Sequence, residues 1–306
     1  VWRRLRATDK LNWNDDMMEL IPQALYSGLL QGGSYALIAL GLALVFGAMK
    51  VINLAHGELV LLSAYIAYSV ESGLGWNPIF AIPIALVVVC LASVAVYFVL
   101  GRIERDREIN SLILTYGIGV ILTNAILLIW NADVRSTGSS WLQEAFVVGP
   151  LYSMRSEVLF FAVSLVTMGA LWWWLTRSWY GRAVRAVSSN RDAAKLMGID
   201  PRYTELISFV VAGILATFAG VALFSYGVIS PAYGNVLTVK AFIITVLAGV
   251  GSIPGVLIGA VLLGVAEALT VTLASSALQE LVGMTLFLIV LFVMPNGLFG
   301  AKRRRG

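Results

Sequence analysis

The amino-acid sequence predicts an all-α polytopic membrane protein, with about eight to nine transmembrane or half-spanning helices and one short helix lying outside the bilayer. Three observations predict it. Hydrophobic residues form 59% of the 306 residues, charged residues only 12%, and the mean hydropathy is +0.87. An average soluble domain is roughly 45–50% apolar and about 25% charged, so too little charge is present to clothe a soluble surface. Apolar stretches of the length that crosses a hydrocarbon core, about 20 residues, recur along the whole chain. Lys and Arg, finally, gather between those stretches in three places. A bilayer demands elements that make their backbone hydrogen bonds internally, which selects helices.

The expected spans are 20–47, 51–70, 79–100, 111–130, 157–175, 205–226, 237–250, 254–274 and 281–299. The segment 237–250 is short: as a helix it rises only about 20 Å, which suits a half-span or a re-entrant arm. Arg102, Arg105 and Arg107 follow the third span. Arg177, Arg182, Arg185, Arg191, Lys195 and Arg202 occupy or border the loop 176–204, and Lys302 with Arg303, Arg304 and Arg305 fills the tail. Basic loops face the cytoplasm, and an even number of spans separates each basic region from the next. The C-terminus is therefore expected inside, in a bacterial or archaeal inner membrane. Counting back places the start of the chain outside, against the preference of Arg3, Arg4, Arg6 and Lys10. Residues 1–19 are accordingly read as an extension, with a native start at Met17 or Met18. Residues 20–299 form the membrane domain, carrying the loop 176–204, and 300–306 form a basic tail.

Several functions are excluded by scarcity. Cys90 is the only cysteine and His56 the only histidine, which leaves no intrachain disulfide and no thiolate metal cluster and argues against most other metal sites and against Ser/His or Cys/His catalysis. The net charge of +4 is placed as a membrane protein places it and implies no nucleic acid. No Gly-x4-Gly-Lys-Ser/Thr phosphate loop is present, so the chain is not itself an ATPase.

The strongest local signal runs from Gly181 to Ile199. It is too polar to span and too rich in helix formers to be a loose loop. Arg182 and Arg185 stand one turn apart, as do Arg191 and Lys195, and Gly198 is placed to close the helix. A short amphipathic helix of this kind either lies on lipid headgroups or docks in a groove of a soluble partner.

Within it, Asp192-Ala193-Ala194-x3-Gly198 resembles the EAA-x3-G loop of ABC importer permeases, with Asp in place of Glu. The wider chain resembles the LivH/LivM permease family of branched-chain amino acid transporters, the H-type subunit in particular. The matching stretches are Gly32 to Gly41, Ile52-Asn53-Leu54-Ala55-His56-Gly57-Glu58, Gly181 to Gly198, Leu247 to Gly255 and Met294-Pro295-Asn296-Gly297-Leu298-Phe299. The resemblance implies an importer subunit that moves amino acids, branched-chain ones foremost, by ATPase-driven alternating access. It implies that Gly181, Arg182, Arg185, Asn190, Arg191, Asp192, Ala193, Ala194 and Gly198 form the coupling helix that meets an ATPase. It further implies no cofactor on this chain, ATP and magnesium on two ATPase partners, a paralogous M-type permease subunit and an extracytoplasmic binding protein. Urea or short amides as cargo, and an ion-coupled secondary transporter, are the alternatives.

Other residues are judged on physics. Asn53, His56 and Glu58 stand at the expected cytoplasmic start of the second span. Polar groups at membrane depth face protein or a water-filled path, so these either satisfy a helix end or line a gate. Thr115, Tyr116 and Asn124 on the fourth span, with Gln31 and Ser34 on the first, are further candidates for a pathway, although helix–helix hydrogen bonding accounts for them equally. Gly28, Gly32 and Gly33, and Gly255, Gly259 and Gly264, recur at spacings that let helices approach closely. Lys240 and Glu267 lie equally far on either side of Ile253–Pro254. An antiparallel pair of segments brings them to one depth, where each offsets the desolvation of the other; the alternative is a snorkelling lysine and a separate pore-facing acid.

Overall fold

The computed structural model describes residues 13–103, 107–249, 251–294 and 297–299. The tail 300–306, most of the N-terminal extension, Arg105, Val250, Pro295 and Asn296 lie outside them. The described residues are mostly helical, as expected, with two minimal two-stranded sheets in the loops.

Helix α1 (Trp13–Met49) closes at Lys50, whose N–H reaches Phe46 O at 2.8 Å and whose φ of 55° turns the chain back. Helix α2 runs His56–Leu74 and α3 Ile82–Leu100, the latter entered through a 3-10 turn with Asn77 accepting from Ile79 N–H. Helix α4 spans Arg107–Trp130. The following loop holds β1 (Arg135–Ser136), α5 (Ser140–Gln143) and the hairpin β2 (Ala145–Val148) and β3 (Leu151–Met154). Helices α6 (Arg155–Arg177), α7 (Trp179–Ser189) and α8 (Arg191–Leu196) lead to α9 (Pro201–Tyr226). Strand β4 (Val228–Ile229) pairs with β1, and α10 (Tyr233–Ala248), α11 (Ile253–Leu273) and α12 (Gln279–Val293) complete the bundle.

Among the described residues, seven helical segments are long and apolar enough to cross a membrane, namely α1, α3 with its 3-10 turn, α4, α6, α9, α11 and α12 with the 3-10 turn before it. Helix α10, with 16 residues, is a shorter apolar helix. The expected boundaries shift in three places. Helix α2 begins at His56 rather than 51, because residues 50–55 leave helical geometry. Helix α12 stops at Val293 rather than 299. The single helix expected over 181–199 is two, broken at Asn190.

Helices α1, α2, α9 and α10 form the centre of the bundle. Tyr65, Phe224, Leu37, Leu40 and Leu59 are fully buried there. Helices α1 and α11 cross in close contact along a glycine seam. A Cβ on Gly28 would come 2.6 Å from Val265 Cα, one on Gly32 2.6 Å from Val261 Cα, and one on Gly264 2.5 Å from Gly28 O. Glycine alone permits backbones this close, the small-residue packing expected of membrane helices. Two glycine motifs far apart in sequence also meet. Leu298 N–H donates to Leu247 O at 2.8 Å and Phe299 N–H to Ala248 O at 3.2 Å, completing the end of α10, while Gly249 (φ 85°) and Gly297 (φ 77°) pack together.

Candidate functional site: an irregular connection, a buried ion pair and an exposed polar segment

The residues singled out by the sequence fall into three places. The first is the start of α2. His56 Nε2 lies 2.9 Å from Ile38 O, eleven residues before the end of α1. Leu54 N–H donates to Thr115 Oγ1 at 3.1 Å, and Gly57 N–H to Thr238 Oγ1 at 2.9 Å, ten residues before the end of α10. At about 1.5 Å per helical residue, these partners sit roughly 15 Å inside the bundle. Asn53, His56 and Glu58 therefore do not mark the membrane surface, as the span count suggested. The chain turns at Lys50 and climbs back as irregular backbone over 51–55, and α2 starts near half height.

Irregular backbone at membrane depth survives only where protein or a water-filled cavity satisfies it. Here protein does much of that. Asn53 Oδ1 accepts from Ala55 N–H at 3.1 Å, and Thr238 Oγ1 donates to Leu54 O at 3.2 Å. Ala55, the residue before α2, has no capping side chain; Thr238 supplies the cap from α10 instead. Asn53, His56, Glu58 and Thr115 are all buried. Gly41 leaves room for the imidazole of His56, and Gly57 for Gly234 and Thr238. Tyr116 and Asn124, by contrast, project from the outer face of α4 and are exposed. Ser34 is buried in α1. These candidates thus do not share one surface.

The second place is the ion pair. Lys240 Nζ stands 2.7 Å and 2.6 Å from the two carboxylate oxygens of Glu267, with both side chains almost wholly buried. Tyr35 OH donates to Glu267 Oε2 at 2.7 Å and accepts from Lys240 at 2.8 Å and from Gln31 Nε2 at 2.8 Å. Gln279 Nε2 donates to Glu267 Oε2 at 2.8 Å. The network ties α1, α10, α11 and α12 together. Gln31 belongs here, and not with the groups on α4. Tyr35 and Gln279 were not singled out by sequence; Tyr35 lies one turn from Gln31, and that spacing was the available clue.

The third place is the polar segment between α6 and α9. Ser178 caps α7 by accepting from Gly181 N–H at 3.0 Å, and Gly181 packs directly on the Leu175 carbonyl. Arg182 and Arg185 are exposed and donate to the carbonyls of Arg177 and Leu175 at the end of α6, while Ala183, Val184 and Val187 face the bundle. Asn190 caps α8, accepting from Asp192 and Ala193 N–H at 3.1 and 3.0 Å. Arg191 is 3.0 Å from Glu205 Oε1, and Arg107 is 3.1 Å from Glu205 Oε2. This buried acid at the start of α9 anchors α8 and the start of α4 together. Ala194 is buried, and Gly198 (φ 78°) closes the turn. Leu196 and Met197 are 89% and 81% exposed, an apolar pair held outward on a pinned helix. The sequence did not single these two out, nor Glu205.

Among the described residues no cluster of His, Cys, Asp and Glu able to hold a metal ion is present. The arrangement offers no nucleophile with a base. It offers polar backbone at membrane depth, a rigid bundle and an exposed lever.

Comparison with known proteins agrees with this geometry. The family described as "Branched-chain amino acid transport system / permease component" matches residues 24–294. The chain is 33% identical over 293 residues to the high-affinity branched-chain amino acid transport system permease protein BraD of Pseudomonas aeruginosa, covering 91% of this chain and 95% of that one. It is 32% identical over 294 residues to the corresponding permease LivH of Escherichia coli, with the same coverage. A probable LivH of the archaeon Methanocaldococcus jannaschii is 29% identical over 296 residues, 92% of this chain and 91% of that one. The match of the family over residues 24–294, with relatives 32–33% identical over 91% of the chain, means that this chain belongs to the family of branched-chain amino acid transport permease components.

Proposed function

We propose that the chain is the H-type membrane subunit of an ABC importer for branched-chain amino acids, working by alternating access beside a paralogous M-type subunit. Two ATPases supply ATP and magnesium chemistry from the cytoplasm. The basic loops after α3 and between α6 and α9, together with the tail, face that side, since clustered Lys and Arg stay inside. A binding protein delivers cargo to the opposite face, which carries the β2–β3 hairpin.

The observation that carries the coupling role is the pair Leu196 and Met197. Large apolar side chains projecting from a helix that Glu205 pins to two spans suit insertion into a partner's groove. A force applied there reaches α9 and α4 through Arg191, Glu205 and Arg107. The test is a double substitution, Leu196→Asp with Met197→Asp. It is expected to abolish co-purification of the ATPase in mild detergent and branched-chain amino acid uptake in cells, while the permease remains in the membrane at wild-type level. Retention of both activities overturns the assignment of α8.

A further inference from the structure

One acid inside the bundle is left incomplete. Among the described residues, Glu58 Oε2 is the buried carboxylate oxygen that lacks a hydrogen-bond partner, although the residue is only 4% exposed. A buried charged group without a partner is costly, and ionisable groups at membrane depth mark ligand or ion paths. The surroundings make room for it. A Cβ on Gly234 of α10 would run into the Glu58 carboxyl, and Gly119 of α4 leaves its own missing Cβ 3.7 Å from Glu58 Cγ. The Thr123 hydroxyl stands beside the carboxyl and is already donating to Gly119 O at 3.1 Å. Behind Glu58 lies the break of residues 51–55 and the start of α2. Tyr116 of α4 and Asn235, next to Gly234 on α10, are exposed.

We infer that Glu58 receives the α-ammonium group of the amino acid in transit, at the half-height break and reached between α4 and α10. This rests on the reading of the cargo as a zwitterionic amino acid. An ammonium carries donors only, which is what an unpartnered carboxylate oxygen lacks. The missing side chains of Gly234 and Gly119 leave the carboxyl the space it occupies. Lys240 and Glu267 satisfy each other and offer a passing ammonium nothing.

The test uses the complete transporter, with both permease subunits, the ATPases and the binding protein, reconstituted in proteoliposomes. Uptake of radiolabelled leucine and ATP hydrolysis stimulated by the binding protein are measured on the same vesicles. Glu58→Gln is expected to cut uptake about 10- to 100-fold, the loss of one charge-assisted hydrogen bond, while stimulated hydrolysis stays within about two-fold of wild type. Glu58→Asp is expected to fall between. If Glu58→Gln takes up leucine as wild type does, the inference is overturned and the importer reading stands. If Glu58→Gln and Glu58→Asp lose uptake, hydrolysis and subunit assembly together, Glu58 pairs with a donor of the neighbouring subunit instead, which also overturns it. If the wild-type assembly takes up no amino acid, the cargo reading itself fails and this inference with it.

Discussion

Glu58 and Glu267 are both buried acids on membrane-embedded helices, and their environments are opposite. Glu267 has a lysine at 2.6 Å, a tyrosine at 2.7 Å and a glutamine at 2.8 Å. Glu58 has a bare oxygen between two glycines. The first arrangement pays for desolvation by giving both carboxylate oxygens donors, and it ties four helices together. The second forgoes that stabilisation and keeps a group ready. The two acids are thus told apart by their partners: Glu267 has a full set of donors and a counter-charge, and Glu58 has neither.

This contrast can be broken or sharpened by measuring thermal stability in detergent. Lys240→Met strands Glu267 without its counter-charge and is expected to cost about 3–5 kcal/mol, the largest effect. Adding Glu267→Gln to it recovers part of that loss, and a double variant no better than Lys240→Met alone contradicts the pairing. Gly234→Val pushes side-chain atoms into the Glu58 carboxyl and the start of α2, with an expected loss of about 1–3 kcal/mol by overpacking. Tyr35→Phe removes one bond from a network that keeps its ion pair and is expected to cost about 0.5–1.5 kcal/mol. Glu58→Gln comes last, changing stability by less than about 1 kcal/mol because no counter-charge is lost and an amide oxygen keeps the contact with Thr123. A Glu58→Gln loss as large as that of Lys240→Met erases the distinction between the two acids.

Much of the architecture was legible because membrane helices advertise themselves. Apolar length and basic loops locate α3, α4, α6, α9 and α11 within a few residues. What was not legible depends on tertiary contact. The stretch 51–55 is apolar enough to continue a span, and only the caps from Thr115 and Thr238 on other helices show that it is irregular backbone. Asn190 was read inside one helix because its neighbours are helix formers, yet its side chain caps a new one. The equal spacing of Lys240 and Glu267 from Pro254 was visible in the sequence, whereas Tyr35 and Gln279, which close their network, come from distant segments with no shared periodicity. Leu196 and Met197 are two apolar residues among many in the sequence, and only their exposure at the end of α8 distinguishes them.

The glycine seam between α1 and α11 has a mechanical consequence. With Gly28, Gly32 and Gly264 allowing backbone to touch backbone, these two helices behave as a single girder: sliding one past the other means lifting whole residues over a ridge. The same beam carries α10. Gly249 and Gly251, at φ of 85° and 83°, fold the chain sharply back between the two helices. The Lys240–Glu267 pair on one side and the bonds from Leu298 and Phe299 at its end clamp the short helix to that beam.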